Sequence, residues 1–362
     1  MKTSTPIWTW AIPAAALLLM FLLALGALHH DASWVLIAAV PLLGGAIFAS
    51  VHHAEVLAHK VGEPMGSIIL AVAVTVIEVA MIVSIMLSGA EGAESVARDT
   101  VFSAVMIVLN GVVGLCIVVG GRRFHEQRFK INAASSALAV LGTLAILTLV
   151  LPNFTQSGGA REYSVTHMAI IAVATLALYG VFLFVQTVRH REDFLDRDAE
   201  TSAAGDGDHA PAGSVWVSAL MLPVGLLAVI LVAKLLSYPL DAAIASMGLP
   251  QAFVGVVIAA VVLTPEAIAS TRAAMQNRLQ SSVNLALGSA LASIGLTIPV
   301  IIALCIFTGQ PLVMGVPPEQ MVLLVLTLFV GTITLGTGRT TVLQGAVHLI
   351  LFAVFLMLAA AP

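Results

Sequence analysis

Two carboxylates stand inside long apolar stretches of this 362-residue sequence. Glu78 lies near the middle of Ile68 to Leu87, IILAVAVTVIEVAMIVSIML, and Glu266 lies in Gln251 to Thr271, QAFVGVVIAAVVLTPEAIAST. Each run is long enough to cross a hydrocarbon core of about 30 Å at about 1.5 Å per residue. An ionised side chain at that depth costs at least ~2.5 kcal/mol. Such an acid therefore marks an ion or proton route, unless a neighbouring helix bonds it for packing alone. Pro265, directly before Glu266, removes a backbone donor and disfavours helix at Thr264, so a break is expected there. A broken helix frees carbonyl oxygens as ligands and is tolerated in a bilayer only where it lines a cavity.

Other oxygens that could join the two acids are the hydroxyls of Thr75 and Thr264, Ser103 and Asn110 in the fourth apolar run, and Ser289 and Ser293 in the ninth. Carboxylates with hydroxyl, amide and carbonyl oxygens form a hard set that suits Ca2+ or an alkali cation and offers nothing soft for zinc or copper. Each hydroxyl also has a plainer reading, back-bonded to a carbonyl or placed at a close helix contact. The run ALGSALAS, Ala286 to Ser293, has the small-residue spacing of tight packing. His52, His53 and His59, with Glu55, fall at the end of the second run. Imidazoles titrate near neutrality, which makes these three candidates for pH sensing, the blander reading being a polar helix end. His348, inside the last run, reads as an interhelical hydrogen-bonder.

The elements that must position these groups are membrane helices. The chain is 60% hydrophobic and only 9% charged, against about 25% charged in an ordinary soluble domain. The fold class is all-α, polytopic and membrane-embedded. Eleven spans are predicted, at 8–28, 33–51, 66–88, 101–121, 133–151, 166–188, 214–236, 251–271, 283–307, 319–337 and 340–360. The first run lacks a small-residue cleavage pattern and is kept as a span. Of the 15 basic residues, Arg98 and Arg161 fall on one side and Lys234 inside a span, and all the others fall opposite. That bias puts the N-terminus in the cytoplasm and the C-terminus across the bilayer.

The longest polar break, 189–213, reads as a cytoplasmic linker that cannot bury a core. It leaves an extra first helix in 1–30, five helices in 31–188 and five in 214–362. Five is odd, so two such repeats must face opposite ways, the inverted arrangement of secondary transporters with the ion site near the midplane. The net charge of -4 and the lack of a dense basic run exclude nucleic acid as a partner, leaving inorganic cations, protons and the lipid bilayer. Cys116 and Cys305 both lie in apolar runs and read as buried hydrophobes.

Two stretches resemble the signature regions of the calcium/proton exchangers of the cation/calcium exchanger superfamily, most of all the bacterial sodium/calcium/potassium-proton antiporter branch. They are AEVLAHKVGEPMGSIILAVAVTVIEVAMIVSI, Ala54 to Ile85, and FVGVVIAAVVLTPEAIAS with QSSVNLALGSALASIGLTIPV, Phe253 to Val300. The resemblance implies eleven helices with two inverted five-helix repeats, Glu78 and Glu266 as the cation- and proton-binding acids, and no resident cofactor. It also implies export of Ca2+, Na+ or K+ in exchange for H+. The family signature places Gly-Asn ahead of each acid, where this chain has Val74-Thr75 and Val262-Leu263. An amide oxygen is replaced by a hydroxyl on one side and lost on the other, which points to a cation range broader than Ca2+ alone. An intramembrane enzyme would need an HExxH, paired-Asp or Gly-x-Ser-x-Gly motif, none of which is present. A passive channel would be expected to repeat one filter in an oligomer, not to join two unlike halves.

Overall fold

The computed structural model describes residues 5–29, 32–62, 65–87, 92–155, 161–194 and 213–362. Most of the predicted linker, 195–212, lies outside them. Eleven helical spans follow one another: α1 Trp8–Ala24, α2 Ser33–Val61, α3 Met65–Met86, α4 Ala93–Phe124, α5 Ile131–Phe154, α6 Val165–Arg189, α7 Val215–Ser246, α8 Phe253–Met275, α9 Leu279–Thr308, α10 Pro318–Leu335 and α11 Val342–Ala360. Ten are long and apolar enough to cross a membrane, and α1 is a shorter apolar helix of 17 residues. The strands β1, Gln127–Arg128, and β2, Arg339–Thr340, pair antiparallel.

Three predicted boundaries are corrected. Helix α2 continues to Val61 and α7 to Ser246, so the second span is not over at residue 51 and Lys234 lies well inside α7. Polar residues on one face of a helix do not end it when the opposite face still packs, and Val51, Ala54 and Val56 are all buried. Helix α8 runs through Pro265 without the expected break. Proline leaves one carbonyl of the preceding turn without its donor, a local loss that packing on both sides of a helix can outweigh.

Contacts divide the chain into two compact units, Met1–Ala93 with Asp208–Gln251, and Glu94–Gly207 with Ala252–Pro362. The first holds α1, α2, α3 and α7. Its axis is α2, whose buried stripe Val35, Ala39, Leu43, Ala46, Ile47, Ser50, His53 and Ala54 follows helical spacing. At Pro13 of α1 the ring removes the donor that would serve the Thr9 carbonyl, and His53 Nε2 supplies it instead at 3.1 Å. A carbonyl can only accept, so Nε2 carries the proton and Nδ1 accepts from Ser218 of α7 at 3.0 Å.

The second unit is built on α4, which is 89% buried where α6 is 17% buried. Helix α8 lies alongside α4 in the same direction, with Gly255 against Asp99 and Thr271 against Cys116. A short turn then returns the chain as α9, so α4 and α9, the third helices of their halves, run in opposite directions. Helix α11 packs antiparallel on α4, Val342 on Gly121 and Phe352 on Gly111, and a Cβ at Gly345 would come within 2.8 Å of the Gly114 carbonyl oxygen. Both α4 and α9 contain a π turn, Ile107–Val112 and Ser293–Thr297, a feature the apolar pattern did not announce.

A third π turn, Ile146–Val150 in α5, lies beside Pro152. Two of its carbonyls find partners outside the helix: the Tyr163 hydroxyl donates to Leu147 at 2.7 Å, and the Val316 amide donates to Leu149 at 2.9 Å. The segment after α9 is stitched down further by Val313 N–H to the Glu94 carbonyl and by Met314 and Gly315 N–H to the Arg161 carbonyl.

Candidate functional site

Glu78 of α3 is 2% exposed and Glu266 of α8 is 9% exposed. Each is the single acid of its helix, and each helix is the second of its five-helix half. Glu78 belongs to the first unit and Glu266 to the second. Thr75 precedes Glu78 by three residues and so shares its helix face. It is buried and its hydroxyl makes no hydrogen bond.

It shares that state with the buried hydroxyls of Thr100, Thr175, Ser270, Ser282 and Ser289. The ordinary fate of a hydroxyl in these helices is to donate to the carbonyl four residues back: Ser50 to Ala46 at 2.8 Å, Ser84 to Ala80 at 2.6 Å, Thr148 to Leu144 at 2.8 Å. Thr264 follows this rule, donating to Ala260 at 2.6 Å. It lines an apolar groove with Ile107, Leu263, Ala267 and Phe352, so of the sequence-predicted oxygens near Glu266 it is already engaged. Ser289 of α9 departs from the rule, its buried hydroxyl having no partner. Ser293, which opens the π turn of α9, and Ser103 of α4 are buried. The second unit thus brings Glu266, Ser103, Ser289 and Ser293 into the mutually packed α4, α8 and α9.

Asn110 is placed differently. Its Nδ2 donates to Thr327 of α10 at 2.8 Å, and its Oδ1 lies 3.0 Å from His348 Nδ1 of α11. His348 Nε2 lies 3.1 Å from Thr334 Oγ1. The amide of Asn110 and the ring of His348 therefore satisfy each other across three helices, the role expected of His348.

The three histidines of α2 part company. His53 is fully buried and bonded on both nitrogens, His52 packs its ring 5.7 Å from Trp8, and His59 is exposed in the last turn. The rings of His52 and His53 lie 5.7 Å apart, while His59 shares the face of His52 but stands about 10 Å further along the helix, so the three do not form one cluster.

A buried pair that the sequence reading missed opens α4. Arg98 and Asp99 are joined at 2.7 Å, Ser95 donates to the second Asp99 oxygen at 2.8 Å, and Arg98 Nη1 donates to the Gly315 carbonyl at 3.2 Å. Adjacent opposite charges at the edge of an apolar run were the available signal. Among the described residues no three His, Cys, Asp or Glu side chains gather as a metal site.

The sodium/calcium exchanger protein family matches residues 32–188 and 217–361, the stretches that carry α2–α6 and α7–α11. The chain is 57% identical to the y4hA protein of Sinorhizobium fredii over 99% of its own length and 97% of that protein. It is 38% identical to the sodium-potassium/proton antiporter ChaA of Escherichia coli over 89% of its length and 87% of ChaA. In fold it is similar to native YfkE, with a TM-score of 0.71 over 98% of this chain and 100% of that one at 16% identity.

Proposed function

The chain belongs to the sodium/calcium exchanger protein family, and from that premise we propose that it is a secondary active antiporter, not an enzyme, exchanging protons for Ca2+, Na+ or K+ across a bacterial inner membrane. The observation that carries this reading is the buried carboxylate in the second helix of each matched half, Glu78 and Glu266. The activities named for its relatives agree with it, ChaA as a sodium-potassium/proton antiporter and more distant relatives as Ca2+/H+ antiporters.

The chemistry follows from exclusion. A carboxyl oxygen that holds a proton is a poor cation ligand, and one that holds a cation has no place for the proton. If the protein changes its opening only when loaded, each half-cycle carries a different passenger, and a proton gradient drives the cation out. Glu78 and Glu266 supply the charge. Thr75 beside Glu78, and Ser103, Ser289 and Ser293 in the unit of Glu266, supply neutral oxygens, while Thr264 and Asn110 are engaged elsewhere. Absence of the Gly-Asn amides leaves a hydroxyl-rich set, which suits monovalent ions as well as Ca2+. The basic-residue bias supports an N-terminus in the cytoplasm and a C-terminus opposite.

The test is proton release. In everted vesicles that have accumulated protons, adding Ca2+, Na+ or K+ should discharge the gradient, and Glu78→Gln or Glu266→Gln should abolish the discharge. An unaltered response in both variants, or cation flux with no proton counterflow, overturns the reading.

A further inference from the structure

Among the buried polar atoms of the second unit that make no hydrogen bond, three oxygens lie toward its basic end. Ser270 of α8 is 0% exposed, Ser282 of α9 is 1% exposed and Gln127 of β1 is 2% exposed. Ser270 Oγ, Ser282 Oγ and Gln127 Oε1 each lack a hydrogen-bond partner. Ser270 could have donated to the carbonyl four residues back, as its neighbour Thr271 does to Ala267 at 2.7 Å, and it does not. A buried polar atom left bare costs about 1–3 kcal/mol, so each of the three needs a reason.

Their positions supply one. Ser270 follows Glu266 by four residues and lies on the same face of α8, and Ala274 continues that face one turn further. Gln127 Nε2 donates to the Ala274 carbonyl at 3.0 Å and to Asn277 Oδ1 at 3.1 Å, which fixes the amide and turns its oxygen away from both. A side chain at Gly120 of α4 would occupy the place of Gln127 Oε1, so the glycine admits that oxygen. On the facing helix, the Cys116 thiol lies 3.8 Å from Thr271 Oγ1 and also beside Ser282. From Glu266 to Ala274 the helix rises about 12 Å. The far end of this track is the basic end of the unit, with Arg122, Arg123, Arg272 and Arg278.

We propose that Ser270, Ser282 and Gln127 Oε1 form an uncharged cation-transfer station between Glu266 and the cytoplasmic end of the second unit. The station is low in affinity by construction, because it offers neutral oxygens to an alkali or calcium ion that must not be held there. It rests on the antiport reading and adds to it the path by which the cation reaches Glu266.

The experiment uses purified full-length protein in proteoliposomes, with Na+ and Ca2+ as probes and proton release as the readout. Ser270→Ala with Ser282→Ala should raise the half-saturating cation concentration about ten-fold, the effect of losing roughly one hydroxyl contact. Gln127→Glu should act the opposite way, lowering the half-saturating Ca2+ about ten-fold while slowing the maximal rate, because a charge added to a transfer point traps its passenger. A merely structural role would not produce that split. In the unaltered protein, Cys116 should be labelled by a small cationic methanethiosulfonate reagent during turnover, and Na+ or Ca2+ should slow the labelling. Wild-type half-saturation in both variants, or labelling of Cys116 indifferent to cations, overturns the station while leaving Glu266→Gln to report on antiport. A wild-type protein that exchanges nothing overturns both.

Discussion

His348 Nδ1 lies 3.0 Å from Asn110 Oδ1, and this contact decides which way the π turn of α4 presents its amide. The oxygen can only accept, so the ring nitrogen facing it carries the proton and the other accepts from Thr334. Asn110→Ala strands His348 Nδ1 and leaves Thr327 with only its bond to the Met106 sulfur, and the expected loss is about 1–3 kcal/mol. With His348→Leu in a double-mutant cycle, the two losses should fail to add by about 0.5–3 kcal/mol. Thermal unfolding in detergent measures this. A reduced cation affinity at unchanged stability would instead return Asn110 to the ligand set.

Competition at carboxylates has a definite sign. Where protons occupy the acids, lowering the pH should raise the half-saturating concentration of Na+ or Ca2+ by up to about ten-fold per unit for each competing proton. Initial rates of exchange between mildly acid and mildly alkaline pH check this. A half-saturation that ignores pH speaks against a shared carboxylate.

The Arg98–Asp99 pair is buried on both sides. Removing one partner, as in Arg98→Met or Asp99→Asn, leaves the other charge or its donors without compensation and should cost about 3–5 kcal/mol, whereas replacing both with apolar residues should cost less. Unfolding temperatures of the two singles and the double decide it. Arg98 also holds the Gly315 carbonyl, so limited proteolysis in 309–317 should rise in the Arg98 variant.

Burial pushes the Tyr163 hydroxyl up to about 12, above its ordinary value near 10. The folded state therefore keeps this proton longer than the unfolded chain does. Its stabilising effect is complete below about pH 10 and is lost as pH rises through about 12. Tyr163→Phe should remove that alkaline loss, and at neutral pH it should cost about 0.5–1.5 kcal/mol through the missing bond to Leu147. Thermal melts across that range show either the flattened slope or its absence.

What the chain discloses by itself is uneven, for physical reasons. An acid in an apolar run is conspicuous because so few residues share its neighbourhood, which is why Glu78 and Glu266 could be singled out and all eleven helices located. Helix ends were harder where one face turned polar before packing stopped, as at His52 and His53 of α2. The Pro265 break failed because a missing donor is local while the packing of α8 extends along its whole length. Ser270, Ser282 and Gln127 were invisible because a serine that back-bonds and one that does not are the same letter, and only neighbours from other helices separate them.

The bond from His53 to the Thr9 carbonyl reaches beyond local packing. Helix α1 lies outside both stretches that match the family, yet its proline creates an acceptor and α2 answers it with an imidazole that is also latched to α7. Trimming the protein back to residue 32 would therefore do more than shorten it. It would uncork a ring N–H in the interior of the first unit, and the remaining helices would inherit an unmet demand that the discarded segment had quietly been serving.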